Sequence, residues 1–156
     1  MTGVVADASP LIAFQQIGQL PLLQALFTSL IVPPSVAKEI APSVPRQPWI
    51  LERQLVQPIP PLILEAELGP GETQAISLAL ELHADQLVVD EKEGRHLATR
   101  LGLHVIGTLG VLLAAKRKSL IPAVRPQIEA LLQNNFWISP QLVERTLADV
   151  GEKPEP

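Results

Sequence analysis

Cysteine is absent from the 156 residues, which excludes disulfides, thiolate zinc sites and cysteine nucleophiles together. The absence fits a reducing compartment, so a cytoplasmic setting is expected. Tyrosine is also missing, and aromatic residues make up only 3% of the chain; stacking platforms for single-stranded bases are therefore hard to build. Positive charge is scarce as well. Twelve Lys and Arg against 16 Asp and Glu leave a net charge of −4, so the chain is no polycation that coats nucleic acid. A polyanionic substrate must be held by local basic groups or by bound metal. The longest apolar stretch, near Val105 to Ala115, is too short to span a bilayer and is interrupted by Gly107, Thr108 and Gly110. The N-terminus lacks a basic segment followed by an apolar signal core, and no membrane association is expected. His83, His96 and His104 show no metal-ligand spacing, and Ser9 lacks a nearby histidine or a G-x-S-x-G setting, which disfavours serine hydrolase chemistry.

What is present is a core: 47% of the residues are apolar, ample for one domain over residues 1–150, with a flexible polar tail over 151–156. Sixteen prolines and nine glycines punctuate the chain. Gly3 to Ala6 reads as a short buried strand, and Asp7-Ala8-Ser9-Pro10 turns it into a helix with Ser9 as N-cap and Pro10 in the first helical position. A helix from Pro21 through Leu26 precedes a strand from Ser29 to Val32, and Ser35 begins a short helix carrying Glu39. Leu22, Leu23 and Phe27 belong either to the core or to a dimer surface. Pro42, Pro45 and Pro48 stiffen the next connection, Trp49 to Leu55 reads as moderately helical, and Pro58 to Pro61 is a proline-rich crossing. After the break at Gly69-Pro70-Gly71, Ala75, Ile76, Ala79 and Leu80 recur at helical spacing with Glu72 in the first turn. Strands follow at Gln86 to Asp90 and His104 to Ile106, separated by a helix from Glu93 to Leu101. A further helix runs to Lys116, and helices over Arg125 to Gln133 and Gln141 to Val150 close the chain. This alternation predicts βαβ units and a mostly parallel sheet covered on both faces.

Four acids stand where these patterns break: Asp7, Glu39, Glu72 and Asp90. Two of them follow the carboxyl ends of core strands, where open parallel sheets form their ligand crevice. If the four meet, repulsion of roughly 3 kcal/mol per pair at about 5 Å requires protons or cations between them. Hard divalent cations such as Mg²⁺ or Mn²⁺ answer that need with oxygen ligands, and such a site suits phosphodiester chemistry. Each acid also has a plain structural reading. Asp7 and Asp90 can serve as turn or capping residues, Glu39 as a solvated helix residue, and Glu72 as a complement to the helix dipole. Glu91 and Glu93 read first as surface charge. Among the bases, Lys92, Arg95 and Arg100 share one helix, whereas Lys116, Arg117 and Lys118 are the preferred candidates for phosphate contact.

The segments Asp7-Ala8-Ser9-Pro10-Leu11-Ile12, Pro33-Pro34-Ser35-Val36-Ala37-Lys38-Glu39-Ile40, Gly71-Glu72 with Ala75-Ile76, Val89-Asp90 and Gly107-Thr108-Leu109-Gly110 together resemble the PIN-domain superfamily. The resemblance runs from about Val4 to Ser119 and lies closest to a prokaryotic branch related to toxin ribonucleases of toxin–antitoxin pairs. It implies a three-layer α/β/α fold with C-terminal helices, Mg²⁺- or Mn²⁺-dependent RNA cleavage, homodimers, and an antitoxin protein as partner. Asp7, Glu39, Glu72 and Asp90 match the acidic, metal-binding and catalytic quartet. Ser9 matches the hydroxyl residue that orients the first aspartate, and Glu91 is placed for an outer-sphere contact. Glu72 departs from the aspartate usual at the third position, and the segment from Pro42 to Pro61 has no counterpart in the pattern. The alternative expectation is a catalytically silent module of the same fold that binds RNA or protein.

Overall fold

The shortest apolar runs of the chain form its centre. In a computed structural model that describes residues 3–152, β1 (Val4–Ala6) lies between β2 (Leu30–Val32) and β4 (Gln86–Val88), with β3 (Ile50–Glu52) and β5 (Val105–Ile106) at the edges. All the pairings are parallel and the order is β3-β2-β1-β4-β5. Val5, Ala6, Leu30, Leu87 and Val89 are fully buried, as expected for strands covered on both faces. Because β1 to β3 run outward in one direction and β4 and β5 in the other, the topological switch falls between β1 and β4.

Helices α1 (Ala8–Gln16), α2 (Leu20–Phe27) and α7 (Thr108–Arg117) pack against one another, while α5 (Pro70–Leu82) lies on β1 and β4 and contacts α4 (Pro61–Glu65) and α6 (Lys92–Arg100). Helix α3 (Pro34–Ile40) meets both α1 and α5. The result is the three-layer α/β/α arrangement expected from the alternating pattern. Leu22 and Leu23 are buried and Phe27 packs against the core, so this helix face supplies core rather than a dimer surface. No helix among the described residues is long and apolar enough to cross a membrane.

Three local expectations are corrected. Trp49 to Leu55 is not helical: the Trp49 carbonyl accepts from Leu30 N–H, the Arg53 N–H donates to Val32, and the segment between them pairs with β2 as an edge strand. Its pattern hides this because Leu51 is 48% exposed, leaving no continuous buried run; the free edge of β2 overrides weak local preference. The proline-rich crossing contains α4, whose Pro61 occupies an early helical position and whose Ile63 is fully buried. Ser9 is not an N-cap. Asp7 holds the extended cap position, and Ser9 is exposed inside the first turn.

The closing helices α8 (Arg125–Gln133) and α9 (Pro140–Asp149) are followed by a clasp. Glu152 accepts hydrogen bonds from Lys116 Nζ at 2.9 Å, Val124 N–H at 2.7 Å and Arg125 N–H at 3.0 Å. Burial disfavours its charge, but these three donors outweigh that and hold its carboxyl below the usual range. Within the tail expected over 151–156, Gly151 N–H donates to the Ala148 carbonyl and Glu152 is held by the clasp, while residues 153–156 lie outside the described residues. Replacing Glu152 with Ala is expected to lower the Tm by roughly 3–6 °C; an unchanged melting curve would mean that the clasp contributes nothing to stability.

Candidate functional site

The switch between β1 and β4 is stitched by a hydrogen bond from Asp7 N–H to the Val88 carbonyl at 2.9 Å. This bond fixes Asp7 at the carboxyl end of β1, with its side chain 4% exposed. Asp90 follows β4 by two residues and is held by Thr108 at the first position of α7. The Thr108 N–H donates to Oδ1 and its hydroxyl to Oδ2, each at 2.7 Å. Thr108 is fully buried, so both oxygens of Asp90 are oriented from inside the protein.

Glu39 and Glu72 arrive from the helices α3 and α5. Gly71 sits between Asp7 and Glu39: a Cβ at that position would stand a tight 3.3 Å from Asp7 Oδ1 and in ordinary contact, 4.0 Å, with Glu39 Oε1. Glu72 reaches toward α6, where a Cβ at Gly94 would lie 2.6 Å from Glu72 Oε2. That oxygen is buried without a hydrogen-bond partner. At Gly107 a Cβ would stand 3.0 Å from Asp90 Oδ1 and 3.4 Å from an Arg95 nitrogen. Three glycines thus leave the space that the carboxylates occupy.

Electrostatics shows that the acids face one another. Burial raises Asp7 from 3.8 to about 6; the Ala8 N–H opposes this, and the charges of Glu39, Asp90 and Glu91 add to it. Burial likewise raises Glu72 from 4.5 to about 7, with Glu91, Asp7, Glu93 and Glu39 contributing repulsion. Burial also raises Asp90, against the two Thr108 hydrogen bonds and the positive charge of Arg95. The centre is therefore an acid cluster in which Asp90 alone has strong local support for its anion.

These donors suit a hard divalent cation by chemistry: all are carboxylate oxygens, they repel one another, and one is orphaned. As the side chains stand, however, no group of three or more acids among the described residues is close enough to hold one ion. Asp7, Glu39, Glu72 and Asp90 are the residues available, and coordination by three of them requires side chains to turn.

Other expectations fare unequally. Glu91 is exposed as the N-cap of α6 and faces both Asp7 and Glu72 electrostatically. Ser9 lines the groove beside Asp90, but the local donor to Asp7 is the Ala8 N–H rather than the Ser9 hydroxyl. The basic triplet does not join the centre. Lys116 begins eight residues, about 12 Å, beyond Thr108 along α7, and it is engaged by Glu152 and the Val150 carbonyl. Arg117 and Lys118 are exposed at that same far end. The cations near the acids are instead Lys92 and Arg95, which line a groove of about 760 Å³ that runs from Asp90 and Glu91 to Trp137 and Arg145.

Sequence reasoning assigned no role to Thr108, Arg95 or the three glycines. A threonine at a helix start just after a strand was the available signal for Thr108, and a glycine directly before Glu72 was the signal for Gly71; Gly94 and Gly107 reach the acids only through the fold. Nothing local marked Trp137, whose position depends on how α8 and α9 fold back.

Residues 3–152 match the family model of the PIN domain. No curated protein matches the chain.

Two outcomes follow from the raised acids. A carboxyl whose pKa rises on folding stabilises the fold below its unfolded value, and that contribution is lost as pH climbs through the folded value. For Asp7 the window runs from 3.8 to about 6 and for Glu72 from 4.5 to about 7. In the absence of divalent ions, Asp7→Asn and Glu72→Gln should therefore each raise the Tm at pH 8 by several degrees. That advantage should vanish below about pH 4. A lower Tm in both variants at pH 8 would contradict the assigned repulsion. Thr108→Val, with the hydroxyl bond removed, should raise the Asp90 pKa further in a carboxyl-carbon NMR titration, while Thr108→Ser restores it.

Proposed function

The chain belongs to the PIN-domain family, and on that premise we propose that it is a metal-dependent endoribonuclease that hydrolyses RNA phosphodiester bonds. Members of this family are generally nucleases, and the chain has the nuclease-like fold. The observation that supports the specific reading is the convergence of Asp7, Glu39, Glu72 and Asp90 at the carboxyl ends of β1 and β4, around the topological switch.

In this reading Asp7, Glu39, Glu72 and Asp90 hold Mg²⁺ or Mn²⁺. When bound, the metal supplies water activation and charge stabilisation at the phosphate. The chain's own residues do the rest. Thr108 fixes both oxygens of Asp90, so this carboxylate is aimed before any ligand arrives. Asp7 is rigid because its backbone joins two strands. Glu72, whose orphaned oxygen lies against Gly94, has an oxygen free to take a cation, and Gly94 leaves the space for it. Glu91, exposed at the start of α6, is placed for an outer contact.

A second reading, a silent module of the same fold that binds RNA or protein, is favoured by the lack, among the described residues, of three acids already gathered for one ion. The family relationship further suggests a cytoplasmic toxin with an antitoxin partner, acting as a homodimer. Sedimentation at micromolar concentration and the neighbouring reading frames test those parts separately.

The deciding assay is cleavage of a panel of structured and single-stranded RNAs in Mg²⁺, Mn²⁺ or EDTA. Wild type is expected to cut only with metal. Asp7→Asn and Asp90→Asn should each reduce cleavage by at least about 100-fold, on the order of effect expected when metal ligation or transition-state charge stabilisation is lost, without loss of fold by circular dichroism. Full activity in both variants would dismiss the acidic centre; metal binding by a folded wild type that cuts no RNA would favour the silent module.

A further inference from the structure

The groove that starts at Asp90 ends on an aromatic residue that the acidic centre does not use. Trp137 is 80% exposed, whereas Trp49 is 8% exposed. Leaving an indole in water forgoes a large apolar burial, and the local backbone explains how the chain enforces it. Residues 136–139 form an irregular link between α8 and α9, preceded by Asn135 at φ 65°. Ile138 is buried and Phe136 packs against the core, so the residues on either side of Trp137 are anchored inward while the indole itself stays exposed. The link is fixed at its far end, where Ser139 Oγ accepts the Leu142 N–H at 3.2 Å to cap α9.

Trp137 shares the groove with Lys92, Arg95 and Arg145. None of these cations forms an ion pair with a described residue. Arg95 also supports the Asp90 anion, and Asp90, Glu91, Glu93 and Asp149 line the groove as well, so it is not a uniformly basic track; its cations flank an aromatic face rather than coat a surface. Its volume, about 760 Å³, falls within the range of about 300–1,000 Å³ typical of small-ligand clefts. A nucleoside-sized group therefore fits. The groove is continuous with Asp90 and Glu91, so a strand with a phosphate at the acids has this channel beside it.

We infer that Trp137 is a base-stacking subsite for single-stranded RNA. An unpaired base lies on the indole, and Arg145, Lys92 and Arg95 face the phosphates on either side. This rests on the nuclease reading and adds a selection to it: a paired base keeps its faces stacked in the helix, whereas an unpaired one is free to transfer to the indole. The scarcity of aromatic residues in the sequence does not prevent such a platform, because one correctly placed indole suffices for one base.

The test uses the full chain and short oligoadenylate and oligouridylate strands, followed by tryptophan fluorescence in EDTA and again in Mg²⁺, with buried Trp49 as the internal reference. Binding should quench the Trp137 emission. Trp137→Ala should weaken affinity roughly tenfold or more, and Trp137→Phe should keep affinity within a few-fold. A strand with abasic sugars should bind wild type and Trp137→Ala equally weakly. Unchanged affinity in a folded Trp137→Ala variant overturns the subsite, and so does RNA binding that leaves Trp137 emission unmoved. If that variant loses self-association while its RNA affinity is intact, the indole is a protein contact and the inference fails. Wild type that cleaves RNA while Trp137→Ala cleaves and binds equally well defeats only this inference; wild type that neither binds nor cleaves any strand defeats the nuclease reading too.

Discussion

Everything at the head of the sheet depends on one constraint: carboxylates are crowded into a partly buried space with too few hydrogen-bond donors for their charge. The parallel sheet creates the crowding, because β1 and β4 end side by side where the winding direction reverses, and each ends next to an aspartate. The Asp7 N–H bond to Val88 makes that proximity rigid. A folded chain that relieves the repulsion internally would add arginines or amides around each acid. This one supplies Thr108 and Arg95 to Asp90 and leaves Asp7 and Glu72 to be relieved by protons or a cation.

The same constraint orders the surrounding helices. Helix α7 begins with Thr108 on Asp90 and ends with Lys116 in the Glu152 clasp, so both of its ends are fixed by acid contacts of opposite purpose. One end orients a reactive group, and the other ties the closing helices to the body. Helix α3 sits between α1 and α5, which brings Glu39 over the head of the sheet although its own strand neighbour, β2, is not at the switch.

Much of this was legible in the residues. Four of the five strands announce themselves as short runs such as Val4-Val5-Ala6 and Leu87-Val88-Val89, and the acids that follow two of them mark the crevice directly. The edge strand β3 did not announce itself, because Leu51 faces solvent and the pairing comes from β2 rather than from local alternation. Lys116, Arg117 and Lys118 looked like a phosphate site as a run, yet a helix carries them away from the acids they follow in sequence. Trp137 was invisible for the complementary reason: it is remote from the acids in the chain and reaches their groove only through the packing of α8 and α9.

The glycines at the site carry a consequence for how this protein tolerates change. Gly71 and Gly94 lie in the first turns of α5 and α6, where alanine is the better helix former. A methyl group at Gly94 would fall 2.6 Å from Glu72 Oε2, whereas one at Gly71 would press on Asp7 Oδ1 at 3.3 Å. At Gly94 the neighbour is the mobile end of a glutamate, so the fold yields easily and the carboxylate is displaced. Selection for thermal robustness alone would favour alanine at these two positions and displace Glu72 without touching a single acid. A sturdier chain with its full complement of acids would then be a chemically different protein.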